Sequence, residues 1–271
     1  MTAISAVIIS YNEENNIARC INSLKNVADE IIVVDSYSTD KTIEIAKSLG
    51  ALVISHEFEG YKEQKNYAAK QAANKYILSL DSDEALSEEL EQSILKVKED
   101  IKYDGYSFNR LNHYCGSWVR HSNWYPDKKL RLFNREKGEW KGINPHDKYI
   151  LEKGSGTCHL KGDLLHWVLD TYEEHIEKAN RFSSIAAREY FKLGKRASAC
   201  KIVGRMSWRF FKAYFLKKGF LDGYNGFAIS SLSAYTSFLK YLKLRQLNKE
   251  ASRKKHSRTR NINITIAGKQ K

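Results

Sequence analysis

The chain has 271 residues, 42% of them hydrophobic, and a net charge of +13. That is enough apolar material for a packed α/β domain with an appended segment, and too much for a disordered chain. The charge is lopsided: residues 192–271 hold 20 Lys and Arg against 2 Asp and Glu, which argues for an acidic body joined to a basic segment suited to an anionic surface, membrane or nucleic acid. Cys20, Cys115, Cys158 and Cys200 form no C-x-x-C pair, a pattern of reduced thiols in a cytosolic protein and not of a disulfide framework or zinc site. No apolar window approaches ~18 residues and no basic region precedes the first strand-like segment, so neither a membrane-spanning helix nor a secretory signal is expected.

In chain order, Ala6-Val7-Ile8-Ile9 predicts a first strand, followed by a helical pattern over residues 13–24. Ile31-Ile32-Val33-Val34 predicts a second strand ending at Asp35. Ser38-Thr39-Asp40 then offers a helix N-cap before a helix that runs to Gly50. Leu52-Val53-Ile54 is a third strand, residues 61–74 a helix, and Tyr76-Ile77-Leu78-Ser79-Leu80 a fourth strand. Apolar strands alternating with helices predict an α/β fold around a mostly parallel sheet, with ligands beyond the carboxyl ends of its strands. From Gly105 the alternation gives way to mixed strands over 106–111, 129–133 and 148–151, then a long helix over about 170–193 and two helices parted at Gly219. No G-x-G-x-x-G follows the first strand and no P-loop occurs, which speaks against a dehydrogenase or a P-loop NTPase.

The strand-end rule gathers Ser10, Tyr11, Asp35, Asp81 and Asp83 at one crevice. Carboxylates one residue apart, as in Asp81-Ser82-Asp83, suit a hard divalent cation, Mg2+ or Mn2+, which completes its shell with phosphate oxygens. The competing use of Asp83 is as a helix cap, a role Ser87 could also fill.

These residues carry a resemblance. Ala6-Val7-Ile8-Ile9-Ser10-Tyr11-Asn12-Glu13-Glu14, Ile31 through Thr42, Gln64-Lys65-Asn66 and Asp81-Ser82-Asp83 resemble, in order and spacing, the family 2 glycosyltransferases. The resemblance implies a GT-A fold, the Rossmann-like sheet of nucleotide-diphospho-sugar transferases, with a C-terminal helical extension here. It implies that Ser10, Tyr11, Glu13, Asp35, Lys65 and Asp81 bind the nucleotide, with Asp35 taking a base N–H and Lys65 facing the diphosphate. Asp83, with Asp81, would hold the metal. Family members place a general base about 60 residues beyond the metal motif, which nominates Asp147 in Pro145-His146-Asp147. His146, Trp118, Trp124 and Arg131 are candidate contacts for acceptor or diphosphate. The absence of a Q-x-x-R-W run implies a single addition and not a processive synthase.

Further on, Lys217-Lys218-Gly219-Phe220-Leu221-Asp222-Gly223 and Phe238-Leu239-Lys240-Tyr241, with Gly116-Ser117-Trp118, Tyr125-Pro126-Asp127 and Arg131-Leu132-Phe133, are similar to the bacterial lipopolysaccharide core β-1,4-glucosyltransferases. That resemblance implies inverting transfer of a hexose, glucose, from a UDP-sugar to a lipid-linked glycan at the cytoplasmic face of the bacterial plasma membrane. Aromatic and basic residues over 208–218, and Tyr235, Phe238, Tyr241 and Leu242, suit an interfacial helix held to anionic lipid; the alternative is helix packing on the catalytic domain. The expected division is a catalytic domain over 1–195 (nucleotide half 1–100, acceptor half 101–195), a membrane-associating helical segment over 196–248 and a flexible basic tail over 249–271. No nucleic-acid partner is expected. The competing functions are a sugar nucleotidyltransferase, whose glycine-rich loop is missing after the first strand, and a non-catalytic membrane or nucleic-acid adaptor.

Overall fold

The computed structural model describes residues 1–142 and 147–268, with side chains described through Arg253. Its residues fall into two compact units, 1–113 with 124–168, and 114–123 with 169–271. The first unit begins β1 (Ile4–Ser10), α1 (Ile17–Leu24), β2 (Glu30–Asp35), α2 (Thr42–Ser48), β3 (Leu52–Ser55), α3 (Tyr61–Gln71), β4 (Tyr76–Asp81), β5 (Glu84–Leu86) and α4 (Glu88–Glu99). Then come β6 (Gly105–Tyr114), β7 (Ser117–Val119, in the second unit), β8 (Asp127–Asn134), β9 (Gly138–Lys141), β10 (Lys148–Leu151) and β11 (Thr157–Leu169).

The sheet runs β3-β2-β1-β4-β8-β6-β11-β5. β1 pairs in parallel with both β2 and β4, and β2 with β3. The α/β class is therefore the one the strand–helix alternation implies, with the parallel half confined to the first four strands. Beyond β4 the pairing turns antiparallel, β4 with β8, β8 with β6 and β11 with β5, so the sheet is mixed. Side chains alternate across β1 as a strand requires. Ala6 and Ile8 join Ile17, Ile21 and Leu24 of α1 on one face, and Val7 joins Ala68 of α3 and Phe133 of β8 on the other. Burial on both faces is why these strands read as unbroken apolar runs.

Two local alternatives are decided by hydrogen bonds. Ser38 and Thr39 do not cap α2: they bond across to the loop after β1, and Asp40 Oδ1 receives the Thr42 N–H at 3.0 Å. Asp83 caps no helix either, because Ser87 takes that role on α4, its hydroxyl accepting from Leu90 N at 3.3 Å.

The second unit holds α5 (Tyr172–Lys192), α6 (Ala199–Phe211) and α7 (Gly223–Gly268). α5 and the 114–123 excursion belong to the same compact unit as these helices. Residues 249–268 are helical, where a flexible tail is expected from the sequence. The 46 residues of α7 span about 70 Å at 1.5 Å per residue. Ala187, Ile202, Tyr241 and Leu244 form the buried cluster, with Phe238 packed against it. Tyr241 and Phe238 therefore serve helix packing, while Tyr235 and Leu242 stay exposed. The segment before α7 is a clamp. Asp222 accepts from the N–H groups of Arg120 (3.0 Å) and His121 (2.8 Å), and its carboxylate meets His121 Nδ1 at 2.8 Å. Asn225 Nδ2 donates to the carbonyls of Tyr114 and Cys115 and to Ser117 Oγ. A Cβ at Gly226 would run into the Gly219 carbonyl, so that approach requires glycine.

Tyr114 and His175 close the other end of this unit, with Tyr114 Oη 2.8 Å from His175 Nδ1. Burial raises the Tyr114 hydroxyl well above its usual range, so it stays protonated. Burial, with the Lys178 charge second, pushes His175 from the usual 6.5 down to about 4. A histidine depressed on folding adds stability that is complete above pH 6.5 and lost as pH falls toward 4, because the unfolded chain takes up the proton first. The unfolding midpoint should therefore drop more steeply between pH 6.5 and 4 in the wild type than in His175→Gln, followed by circular dichroism in urea. Equal slopes would remove His175 as the cause.

Candidate functional site

The loops leaving β1 and β2 are tied together. Asp35, fully buried, accepts from Ser10 Oγ (3.0 Å), Ser38 N (2.7 Å) and Ser38 Oγ (2.5 Å). Ser38 Oγ in turn accepts from Asn12 N at 2.8 Å, Asn12 Oδ1 accepts from Thr39 N at 2.8 Å, and Thr42 Oγ1 accepts from Glu13 N at 2.7 Å. The Glu13 carboxylate takes a bond from Asn16 Nδ2 at 2.7 Å. Asn12 and Tyr37 adopt left-handed backbone, φ 53° and 61°, where Asn is the better tolerated. The brace leaves the rings of Tyr11 (58% exposed) and Tyr37 (61%) open to solvent. A carboxylate offers about four acceptor positions, and three are used on Asp35, so one remains for a ligand N–H.

At the end of β4 the charges are dense and mostly buried. Asp81 Oδ1 lies 3.0 Å from Lys65 Nζ, and Asp81 Oδ2 lies 2.8 Å from Arg131 Nη2. Lys65 also reaches Asp147 Oδ2 at 3.3 Å. Arg131, 4% exposed, pairs with Glu84 Oε1 at 2.9 Å, and Arg110 meets the same oxygen at 3.2 Å and Asp127 at 2.9 Å. Burial alone would raise the Asp81 carboxyl, yet the Lys65 and Arg131 charges outweigh it and hold it far below the ordinary carboxylate range. Each Asp81 oxygen thus faces one cation. Lys65 and Arg131, expected at the diphosphate or acceptor, are here the cations that neutralise Asp81.

Asp83 is placed differently. Its Oδ2 stands 3.3 Å from His166 Nε2, and its Oδ1 is buried without a hydrogen-bond partner among the described residues. His166 Nδ1 lies 2.7 Å from Asn112 Oδ1, an acceptor, so that nitrogen carries the ring proton. In the neutral ring the Nε2 lone pair then faces a carboxylate oxygen. Two lone pairs at that spacing fit a cation between them: ligands ~2.1–2.2 Å from an octahedral ion and at right angles lie about 3 Å apart. A ligating histidine that donates its other N–H to an oxygen is the usual supporting arrangement. Among the described residues no group of three or more His, Cys, Asp or Glu forms a metal cluster, which leaves the other positions to water and to oxygens of a ligand. These residues therefore fit a divalent ion.

His166 and Glu84 were not among the residues expected from sequence. β11 brings them together by antiparallel pairing with β5, His166 opposite Glu84, and Trp167 N donates to the Asp83 carbonyl at 3.0 Å. Arg19 sits over the Trp167 ring, 3.4 Å from its centre. Of the remaining candidates, Trp124 accepts at its carbonyl from Asn112 Nδ2 at 3.2 Å, Trp118 is a half-exposed residue of β7 in the second unit, and His146 lies outside the described residues.

The parallel strands β2 and β4 thus end at Asp35 and Asp81, with Asp83 in the turn that follows. The model of the family "Glycosyl transferase family 2" matches residues 5–153, and the chain belongs to that family. An uncharacterised glycosyltransferase of Rickettsia typhi is 37% identical over 92% of this chain and 88% of its own length. The lipopolysaccharide core biosynthesis glycosyltransferase LpsC of Rhizobium meliloti is 30% identical over 90% of this chain and 92% of its own. Among solved structures, S. aureus TarS 1–349 in complex with UDP is similar at 15% identity and TM-score 0.45, covering 92% of both chains.

The geometry makes Glu84 the counter-charge on which Arg131 depends. Removing one partner of a buried pair costs about 3 kcal/mol, because the other is stranded. Glu84→Ala should lower stability by that order in urea unfolding, and Glu84→Ala/Arg131→Met should recover part of it. An unchanged single variant would contradict the dependence.

Proposed function

We propose that this family 2 glycosyltransferase is an inverting, non-processive enzyme that moves a hexose, glucose, from a UDP-sugar to a lipid-linked glycan such as lipopolysaccharide core. The observation that carries the donor side is Asp83, with one oxygen facing His166 Nε2 and the other buried without a hydrogen-bond partner among the described residues. LpsC, similar along nearly the whole chain, is described as a lipopolysaccharide core glycosyltransferase and supports the acceptor class.

In this reading Asp35 accepts the uracil N–H with its remaining lone pair, and Tyr11 and Tyr37 offer aromatic faces. Asp83 and His166 hold Mg2+ or Mn2+, which supplies positive charge to the departing diphosphate. Lys65 and Arg131 keep Asp81 ionised and fixed. Asp147 takes the proton from the acceptor hydroxyl as that oxygen attacks the anomeric carbon opposite UDP. Its carboxylate shares Lys65 with Asp81, so Lys65 orients it until the acceptor arrives.

The helical unit supports a peripheral position on the cytoplasmic face of the membrane. Trp208, Phe211, Phe215, Leu216, Phe220 and Leu221 are exposed, beside exposed Arg205, Arg209, Lys212, Lys217 and Lys218. Arg196, Arg245, Lys249 and Arg253 line a cavity of about 960 Å3 with no carboxylate among its lining residues. Aromatics with cations suit an interface with anionic lipid. No helix among the described residues is long and apolar enough to cross a membrane.

UDP-glucose with Mn2+ should raise the melting temperature, and chelator or Asp83→Ala should abolish the shift. Asp147→Asn should keep the shift while kcat falls roughly 10²–10⁴-fold. Stabilisation indifferent to chelator, or release of pyrophosphate in place of UDP, would sink the reading. The protein should also sediment with phosphatidylglycerol vesicles at low salt and leave them at high salt; binding to neutral vesicles alone would remove the electrostatic part.

A further inference from the structure

A cavity of about 490 Å3 opens in the first unit, among β8, the β9–β10 hairpin and the end of β4. Asp81, Asp147 and Lys65 form part of its wall, while Asp83 and His166 do not line it. Six cations line it: Lys65, Arg110, Lys128, Lys129, Arg131 and Lys148. Four of them are matched. Lys65 pairs with Asp81 and Asp147, Arg131 with Asp81 and Glu84, Arg110 with Glu84 and Asp127, and Lys129 with Asp127 at 3.0 Å. Lys128 and Lys148 have no ion pair among the described residues, so two positive charges are left over in the cavity that the base candidate lines. Both are exposed, which puts them at the cavity rim. Burial foremost, and the neighbouring Arg110 charge next, lower the proton affinity of Lys129, as expected where cations outnumber anions.

An acceptor bearing only hydroxyls makes no use of that surplus. We propose that the acceptor glycan carries an anionic group, a phosphate ester or a carboxylate, and that Lys128 and Lys148 seat it. Lys148 directly follows Asp147 and lines the same cavity, so the anion belongs to the sugar that receives the hexose or to its immediate neighbour. The inference rests on the glycosyltransferase reading with Asp147 at the accepting hydroxyl. It adds what the acceptor is: an acidic glycan, selected by charge beside the reaction centre, and its rim cations would also draw that acceptor in from solution.

The test is calorimetric titration of the full chain, loaded with UDP and Mn2+, with three methyl hexopyranosides. One is neutral, one carries a 6-phosphate and one a 6-carboxylate. At least one anionic ligand should bind ten-fold or more tightly than the neutral one, and which one does so names the anion. Lys128→Ala/Lys148→Ala should erase that preference, and UDP affinity should stay within two-fold. Equal affinities for all three, or no binding by any, overturns the proposal while leaving the UDP result, and with it the donor reading, intact. A double variant that weakens UDP and spares the glycans also overturns it, by giving the two lysines to the donor. Failure of UDP itself to bind removes the glycosyltransferase reading and this inference together.

Discussion

Arg131 is 4% exposed and fully charged, in the sheet strand that abuts β4. A guanidinium there is tolerable only with carboxylates in contact, and it has Glu84 on one side and Asp81 on the other. The network extends outward from that arginine. Glu84 Oε2 accepts the Asp81 N–H at 3.0 Å, which sets the turn leaving β4. Glu84 also engages Arg110 of β6, and Asp81 engages Lys65 of α3, which reaches Asp147. Strands from both halves of the mixed sheet are thereby locked at the point where the chain changes from parallel to antiparallel pairing, and Asp83 projects from a turn that cannot shift independently of them.

Much of this was legible in the sequence, for a definite reason. Strands buried on both faces appear as apolar runs, so the ends of β1, β2 and β4 could be placed, and Asp35 and Asp83 with them. The partner of Asp83 was not legible, because it arrives from far along the chain. His166 reaches Asp83 only through the pairing of β11 with β5, and β5 is three residues long, too short to leave a period. A Glu after two Asp likewise reads as one more surface acid, and only the burial of Arg131 makes it a core residue. Residues 249–268 looked like a loose tail because polarity hides helix formation: Lys, Arg and Ala are good helix formers whether or not an apolar stripe accompanies them.

The C-terminal motif shows how a resemblance can be structural in origin. Asp222 and Asn225 saturate backbone groups of residues 114–121, and Gly219 and Gly226 touch backbone to backbone. The residues that make 217–226 distinctive are those that clamp a hairpin excursion to a helix. The exposed Phe220 and Leu221 between them are left to the surface.

The brace between the first two loops bears on discrimination among nucleotides. Asp35 is held by three donors and has no room to rotate, so its spare lone pair has one direction. In the proposed reading a uracil ring N–H satisfies that lone pair, whereas cytosine would bring a second lone pair to the same point. A rigid acceptor penalises the wrong base by repulsion as well as by a missing bond, and buried polar groups left unpaired are what give large rejection ratios. The serine pair around Asp35 would thus act as a filter on the cellular nucleotide pool, set before any sugar is inspected.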